Sequence, residues 1–167
     1  VENDREKEIA ERRVDIALGR STEIEGRIPL VDSWRFSTST EDTGDLNVRL
    51  PLDWRAVASL VRSSETNAVF RRPFFVRKEA EGYYVALRLA AVSGDFAVKL
   101  NGVKLAVKDV GREGYEVDMS EALRYGSENE LEIFVNALNP EAQSAGITGD
   151  VWVDVADPKE RVVCGTM

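Results

Sequence analysis

The stretch Val98-Lys-Leu-Asn-Gly-Val-Lys-Leu105 constrains the fold more than any other part of the chain. Asn101-Gly102 stands between two alternating runs, and a two-residue type I′ turn needs positive φ at both central positions, a demand that Asn and Gly meet at low cost. A hairpin is expected there, and with it a β core. Downstream, Asp118 and Glu121 have capping-box spacing and Gly126 can close a short turn in the left-handed region. A further strand is expected from Asn129.

The rest of the pattern agrees with this. Trp34 and Phe36 share a parity, residues 69–76 are aromatic and β-branched, and Tyr83, Val85, Leu87 and Leu89 fall on one face of an alternating run. Strands recur roughly every ten residues with turn signals between them, which favours an antiparallel sandwich over a parallel α/β sheet. Two helices are expected beside it. Residues 2–18 have Asn3 or Asp4 as cap, Glu8 and Arg12 at i,i+4 spacing, an arc of Ile9, Val14, Ile16 and Leu18, and Gly19 as a stop. Asp53 is a plausible cap for a short internal helix carrying Trp54, Val57, Leu60 and Val61. The expected organisation is a charged N-terminal helix or linker at 1–20, a β-sandwich domain at 21–156 and a tail at 157–167. The N-terminal helix either packs across or tethers the sandwich, or binds a partner.

The order of the motifs is itself informative. Trp34-Arg-Phe36, Leu50-Pro-Leu-Asp-Trp54, Phe70-Arg-Arg-Pro-Phe-Phe-Val76, Leu100-Asn-Gly102, the run from Val117 through Gly126 and Asn129 to Val135, and Gly146-Ile-Thr-Gly-Asp-Val-Trp152 occur in that sequence. This series resembles the sugar-binding β-sandwich of family 2 glycoside hydrolases, the group of β-galactosidases, β-mannosidases and β-glucuronidases. The resemblance spans roughly residues 30 to 156 and implies an all-β, galactose-binding-like jelly roll. In that family the domain is non-catalytic, and the acid/base and nucleophile glutamates lie in a separate (β/α)₈ barrel. The resemblance thus implies an accessory domain that packs against, or shapes the cleft of, the catalytic domain of a parent glycosidase. A free-standing lectin-like or protein-interaction module is the alternative.

Composition narrows the chemistry. The chain has 167 residues, 43% of them hydrophobic, enough for one domain with a real core. Its net charge of −8 disfavours nucleic acid and anionic membranes as partners. Histidine is absent, which removes Ser-His-Asp and Cys-His catalysis and the commonest transition-metal ligand. The single cysteine, Cys164, forms no intrachain disulfide and no zinc-ligand spacing. No apolar run approaches the ~20 residues of a membrane helix. A soluble chain is expected, with secretion or a periplasmic address compatible but unspecified. Val1 in place of an initiator Met is what a processed product or an excised segment would show, so a missing signal peptide carries no information on localisation.

The sharpest catalytic candidate is the run Glu116-Val-Asp-Met-Ser-Glu121, which approaches the signature of laminarinase-type retaining β-glucanases. Retention needs two carboxyls about 5 to 5.5 Å apart. In a regular strand Glu116 and Glu121 would stand roughly 16 Å apart along the chain and on opposite faces. The cap of a turn explains the same residues more simply, so no catalytic residue is assigned. For carbohydrate binding, aromatic faces with polar neighbours are the expectation, and the candidates are Trp54, Tyr84, Asn101 and Trp152. Trp34 reads as core. The acidic group Glu41, Asp42 and Asp45 fits no full calcium loop, and no metal or cofactor is expected. Arg71 and Arg72 are expected to form surface ion pairs.

Overall fold

A computed structural model describes residues 26–38, 46–56, 66–137 and 143–156. Within them the strands are β1 (Gly26–Pro29), β2 (Trp34–Thr38), β3 (Leu46–Val48), β4 (Leu52–Asp53), β5 (Asn67–Val76), β6 (Tyr84–Leu89), β7 (Asp95–Leu100), β8 (Val103–Leu105), β9 (Lys108–Asp109), β10 (Tyr115–Asp118), β11 (Ser127–Asn136), β12 (Gly146–Ile147) and β13 (Val151–Ala156). The only helical elements among the described residues are 3₁₀ turns at Lys78–Ala80 and Gly111–Glu113.

Two antiparallel sheets face each other. One has the order β1-β13-β6-β10-β9 and the other β3-β2-β5-β11-β7-β8, with β12 and β4 forming a small third ladder. The long strands β5 and β11 pair along their whole length, from Asn67↔Asn136 to Val76↔Ser127. Alternation decides what each face presents. Trp34, Phe36, Phe70, Phe74, Leu131 and Ile133 from the six-stranded sheet meet Val85, Leu87, Leu89, Val117, Val151 and Val153 from the five-stranded one, all buried. The all-β sandwich expected from the sequence is the fold observed. Trp34 is in the core as expected, its indole Nε1 donating to the Leu30 carbonyl at 2.8 Å.

The hairpin forms at the expected turn. Asn101 and Gly102 have φ of 52° and 82°, and Leu100 pairs with Val103 across them. Gly126 closes the later turn at φ 71°, its amide donating to the Val76 carbonyl at 2.7 Å. Between them lies a network that spacing alone did not disclose. Asn101 Nδ2 donates to the Ala122 carbonyl and to Asn129 Oδ1, while Asn101 Oδ1 accepts from the Glu130 amide. Asn129, itself buried, also accepts from the Arg124 amide and donates to the carbonyls of Arg124 and Ser127. Asn129 is buried and Asn101 half-buried, and leaving a buried amide group unsatisfied costs about 1–3 kcal/mol, so the pair fastens the hairpin and the 119–126 turn to β11.

Several details differ from expectation. Asp118 accepts from the Ser120 amide two residues on, at 3.0 Å. This is a local Asx turn in place of the expected reciprocal box with Glu121. Arg71 does form an ion pair, with Glu132 at 3.1 Å. Arg72 does not lie on the surface: it is 2% exposed, and its guanidinium donates to the carbonyls of Asp32 (2.7 Å) and Pro73 (3.0 Å). The reason is parity, since Arg72 shares the inward face of β5 with Phe70 and Phe74. Burial lowers its pKa from the usual arginine value, and nearby Asp32 opposes that shift. Of the short internal helix, residues 54–56 form a turn and the remainder lies outside the described residues, as do the N-terminal helix at 1–20, the acidic group at 41–45, the tail at 157–167 and Cys164.

Candidate functional site

The sandwich offers two outward faces, and the residues singled out from sequence divide between them and the interior. Trp54 is interior. It is 1% exposed and its ring centroid lies 6.0 Å from that of Phe36, so it presents no open face for stacking. Asn101 is held by the network described above, with both ends of its amide engaged.

Tyr84 and Trp152 do share a surface, the outer face of the five-stranded sheet, because both have the outward parity on the neighbouring strands β6 and β13. Trp152 lies directly across from Arg88 and is half-buried between two guanidiniums. Arg27 sits 4.4 Å and Arg88 5.8 Å from its ring centroid. Its indole Nε1 is buried with no hydrogen-bond partner. Acidic groups hold the arginines in place: Arg27 pairs with Asp154 at 3.4 Å, and Arg88 with Glu113 at 3.3 Å and Asp154 at 3.9 Å. Tyr84 donates its hydroxyl to Glu116, which lies across from Arg88 on β10. Glu116 is therefore engaged on this face, while Glu121 stands in the exposed turn beyond β10. The face is a band of Arg, Trp and Tyr rather than a cleft.

A concave feature lies on the opposite side. A groove of about 600 Å³ lies on the outer face of the six-stranded sheet, bounded by Ser37 and Thr38 of β2, Asn67, Val69 and Arg71 of β5, Phe134 and Asn136 of β11, and Asp95 and Ala97 of β7. Its volume falls within the range of small-molecule sites. Register arranges its outward residues in three rows across the strands. The first row is Asp95, Asn136 and Asn67; the second is Ala97, Phe134, Val69 and Ser37; the third is Lys99, Glu132, Arg71 and Arg35. Apart from Ser37 at its β2 end, an apolar row thus lies between two hydrogen-bonding rows. Arg71 is held in place by Glu132 and by Ser37 Oγ at 3.4 Å, and the Lys99 ammonium is 5.3 Å from the Phe134 ring centroid. Asn136 is one of the polar neighbours that the sequence offers to its aromatic candidates, but none of the four binding candidates, Trp54, Tyr84, Asn101 and Trp152, lines this groove. The signal that could have found the groove is the outward parity of Phe134 in a strand whose other outward positions are polar.

A third cluster joins the small ladder to the sandwich. Asp53 Oδ1 accepts from the amides of Arg55 and Ala145, both at 3.0 Å, and Oδ2 accepts from Ser144 Oγ at 2.9 Å. Burial would raise the Asp53 carboxyl, but these bonds and the Ala56 amide outweigh it and hold the group below the ordinary aspartate value. The cluster is structural: it ties β4 to the chain ahead of β12.

No protein-family model matches the sequence, and no curated protein matches it significantly. Solved structures do share its fold. A β-D-glucuronidase from Dictyoglomus thermophilum superposes with a TM-score of 0.69 at 18% identity, over 84% of this chain and 29% of that one. A glycosyl hydrolase family 2 member from Bacteroides cellulosilyticus gives 0.66 at 16%, over 79% and 21%. A putative β-galactosidase from Bacteroides fragilis gives 0.62 at 23%, over 78% and 23%. The likeness is one of fold, and it is domain-level: the chain spans less than a third of each of these proteins.

Proposed function

We propose that this chain is the non-catalytic β-sandwich module of a larger glycoside hydrolase, packing against a catalytic domain and bordering its cleft. The observation that carries the reading is the domain-level match, in which 78–84% of the chain corresponds to 18–29% of enzymes described as family 2 members, glucuronidases or galactosidases. The outer face of the five-stranded sheet fits the docking role. Its Arg27, Trp152, Arg88 and Tyr84 are of the residue types enriched at the centres of protein interfaces, and the ion pairs of the arginines with Asp154 and Glu113, their contacts with the indole and the Tyr84–Glu116 hydrogen bond pre-order the surface, which lowers the entropic cost of association.

Two measurements test this. The chain alone is expected to release no nitrophenol from p-nitrophenyl β-D-galactoside or β-D-glucuronide and no reducing ends from β-glucan. Activity that disappears in Glu116→Gln would overturn the reading in favour of a retaining β-glucanase. In extracts of the source cells, an antibody against the chain is expected to detect a polypeptide much longer than 167 residues. A single band at the length of the chain itself would favour a free-standing module.

A further inference from the structure

From the three-row arrangement of the groove we infer that the outer face of the six-stranded sheet is a binding site for a single pyranose ring, such as the terminal residue of a glycan. A pyranose has an apolar face of C–H groups and a perimeter of hydroxyls, and the groove is built as the complement of that shape. Phe134, Val69 and Ala97 form an apolar floor one residue deep. Same-face positions on a strand repeat about every 6.6 Å, so the hydrogen-bonding rows on either side stand about 13 Å apart at the backbone. Asp95 and Arg71 line the groove from the two rows, and side chains reaching in from both sides narrow that span toward the dimension of one ring. The polar rows supply acceptors and donors: the Asp95 carboxylate on one side and, on the other, the Arg71 guanidinium and the Lys99 ammonium, which is already drawn over the aromatic ring. Arg71 commits two of its five N–H donors to Glu132 and Ser37, so it is pre-positioned with donors to spare. Pre-positioned groups of this kind reduce the ordering cost of binding.

The same features argue against other occupants. An extended peptide added by strand pairing needs an unpaired edge, and the floor strands β5 and β11 are hydrogen-bonded on both sides. A purely aliphatic ligand would strip water from both polar rows without replacing its hydrogen bonds. Phosphorylated ligands meet a chain of net charge −8. The inference rests on the glycosidase-module reading for its preference for a sugar over other flat polar rings. Its test does not share a readout with the turnover assay, so either can fail alone.

The test is titration of the full chain with methyl β-D-glucopyranoside, methyl β-D-galactopyranoside and methyl β-D-glucuronide, followed by amide chemical shifts and by calorimetry. Saturable binding of at least one glycoside, with a Kd of about 1 mM or weaker as befits one ring, is expected, with shifts centred on β5, β11 and β7. Phe134→Ala and Asp95→Ala should each weaken binding at least tenfold while circular dichroism stays that of the parent, and Trp152→Ala should leave it unchanged. Three results would overturn the assignment: no binding of any of the three glycosides, binding unaffected by both groove variants, or binding lost in Trp152→Ala. A concentration-dependent dimer in sedimentation velocity that is broken by Phe134→Ala, without glycoside binding, would assign the groove to a second copy of the chain instead.

Discussion

At the scale of single residues, the sandwich places its polar side chains where backbone groups need partners. Asp53 shows the consequence for pH. Its folded-state pKa is depressed by hydrogen bonds that only the ionised carboxylate accepts well, so it contributes stability above the unfolded-state value of about 3.9 and loses that contribution as pH falls through the folded-state value. The urea midpoint of the parent chain should therefore drop between about pH 6 and about pH 3 by more than that of Asp53→Asn. An identical drop in the two proteins would show that Asp53 does not carry the effect. Arg72 and Asn129, unlike the half-buried Asp53, are fully buried polar residues, and sequence reading found neither role. The pattern of β5 did place position 72 on the inward face, but a charged side chain adjoining Arg71 reads as surface because such residues are seldom fully buried unless paired. What overrides that expectation is a pair of backbone carbonyls, those of Asp32 and Pro73, and one of them is 40 residues away in sequence. Spacing cannot announce such a partner.

At the scale of elements, local chemistry was legible and long-range register was not. The Asn101-Gly102 turn is written in two adjacent residues, and it formed as read. Two glycines illustrate the difference between a turn and a close approach. At Gly102, φ is 82° and an added Cβ would meet no atom within 4 Å, so Gly102→Ala should cost about 1–2 kcal/mol, the backbone penalty alone. At Gly146, φ is 132° and the Cβ would stand 2.1 Å from the Leu52 carbonyl oxygen, so the β4–β12 ladder must part to admit it. Chemical denaturation should show Gly146→Ala less stable than Gly102→Ala by at least about 2 kcal/mol; equal losses would mean that the ladder yields without cost. The groove was illegible for a related reason. Its rows are assembled from β2, β5, β11 and β7, whose neighbour relations skip along the sequence, and a site made by register has no contiguous signature. Tyr84 and Trp152 were legible as outward-facing, yet the arginines that cover Trp152 come from β1 and β6 and could be assigned only once the sheet order was known.

At the scale of the whole molecule, the six ordered motifs carried the architecture because together they span both sheets, and the fold they implied is the one observed. That architecture closes through a strand late in the described chain. Strand β13, nearly the last part of the described chain, lies between β1 and β6 and contributes Val151, Val153 and Val155 to the core. A chain ending at Asp150 should therefore lose its cooperative thermal transition and its dispersed amide spectrum; a retained transition would show that the remaining sheet closes without it. The same pairing sets how the sandwich responds to tension. β1 leaves Gly26 as β13 arrives at Ala156, and Gly26 is paired with Val155, so the two exits from the sheet lie side by side. A pull between those exits reaches the rungs of the β1–β13 ladder one at a time, as in a zipper. Pulled apart at those two exits, the sandwich should therefore yield at low force.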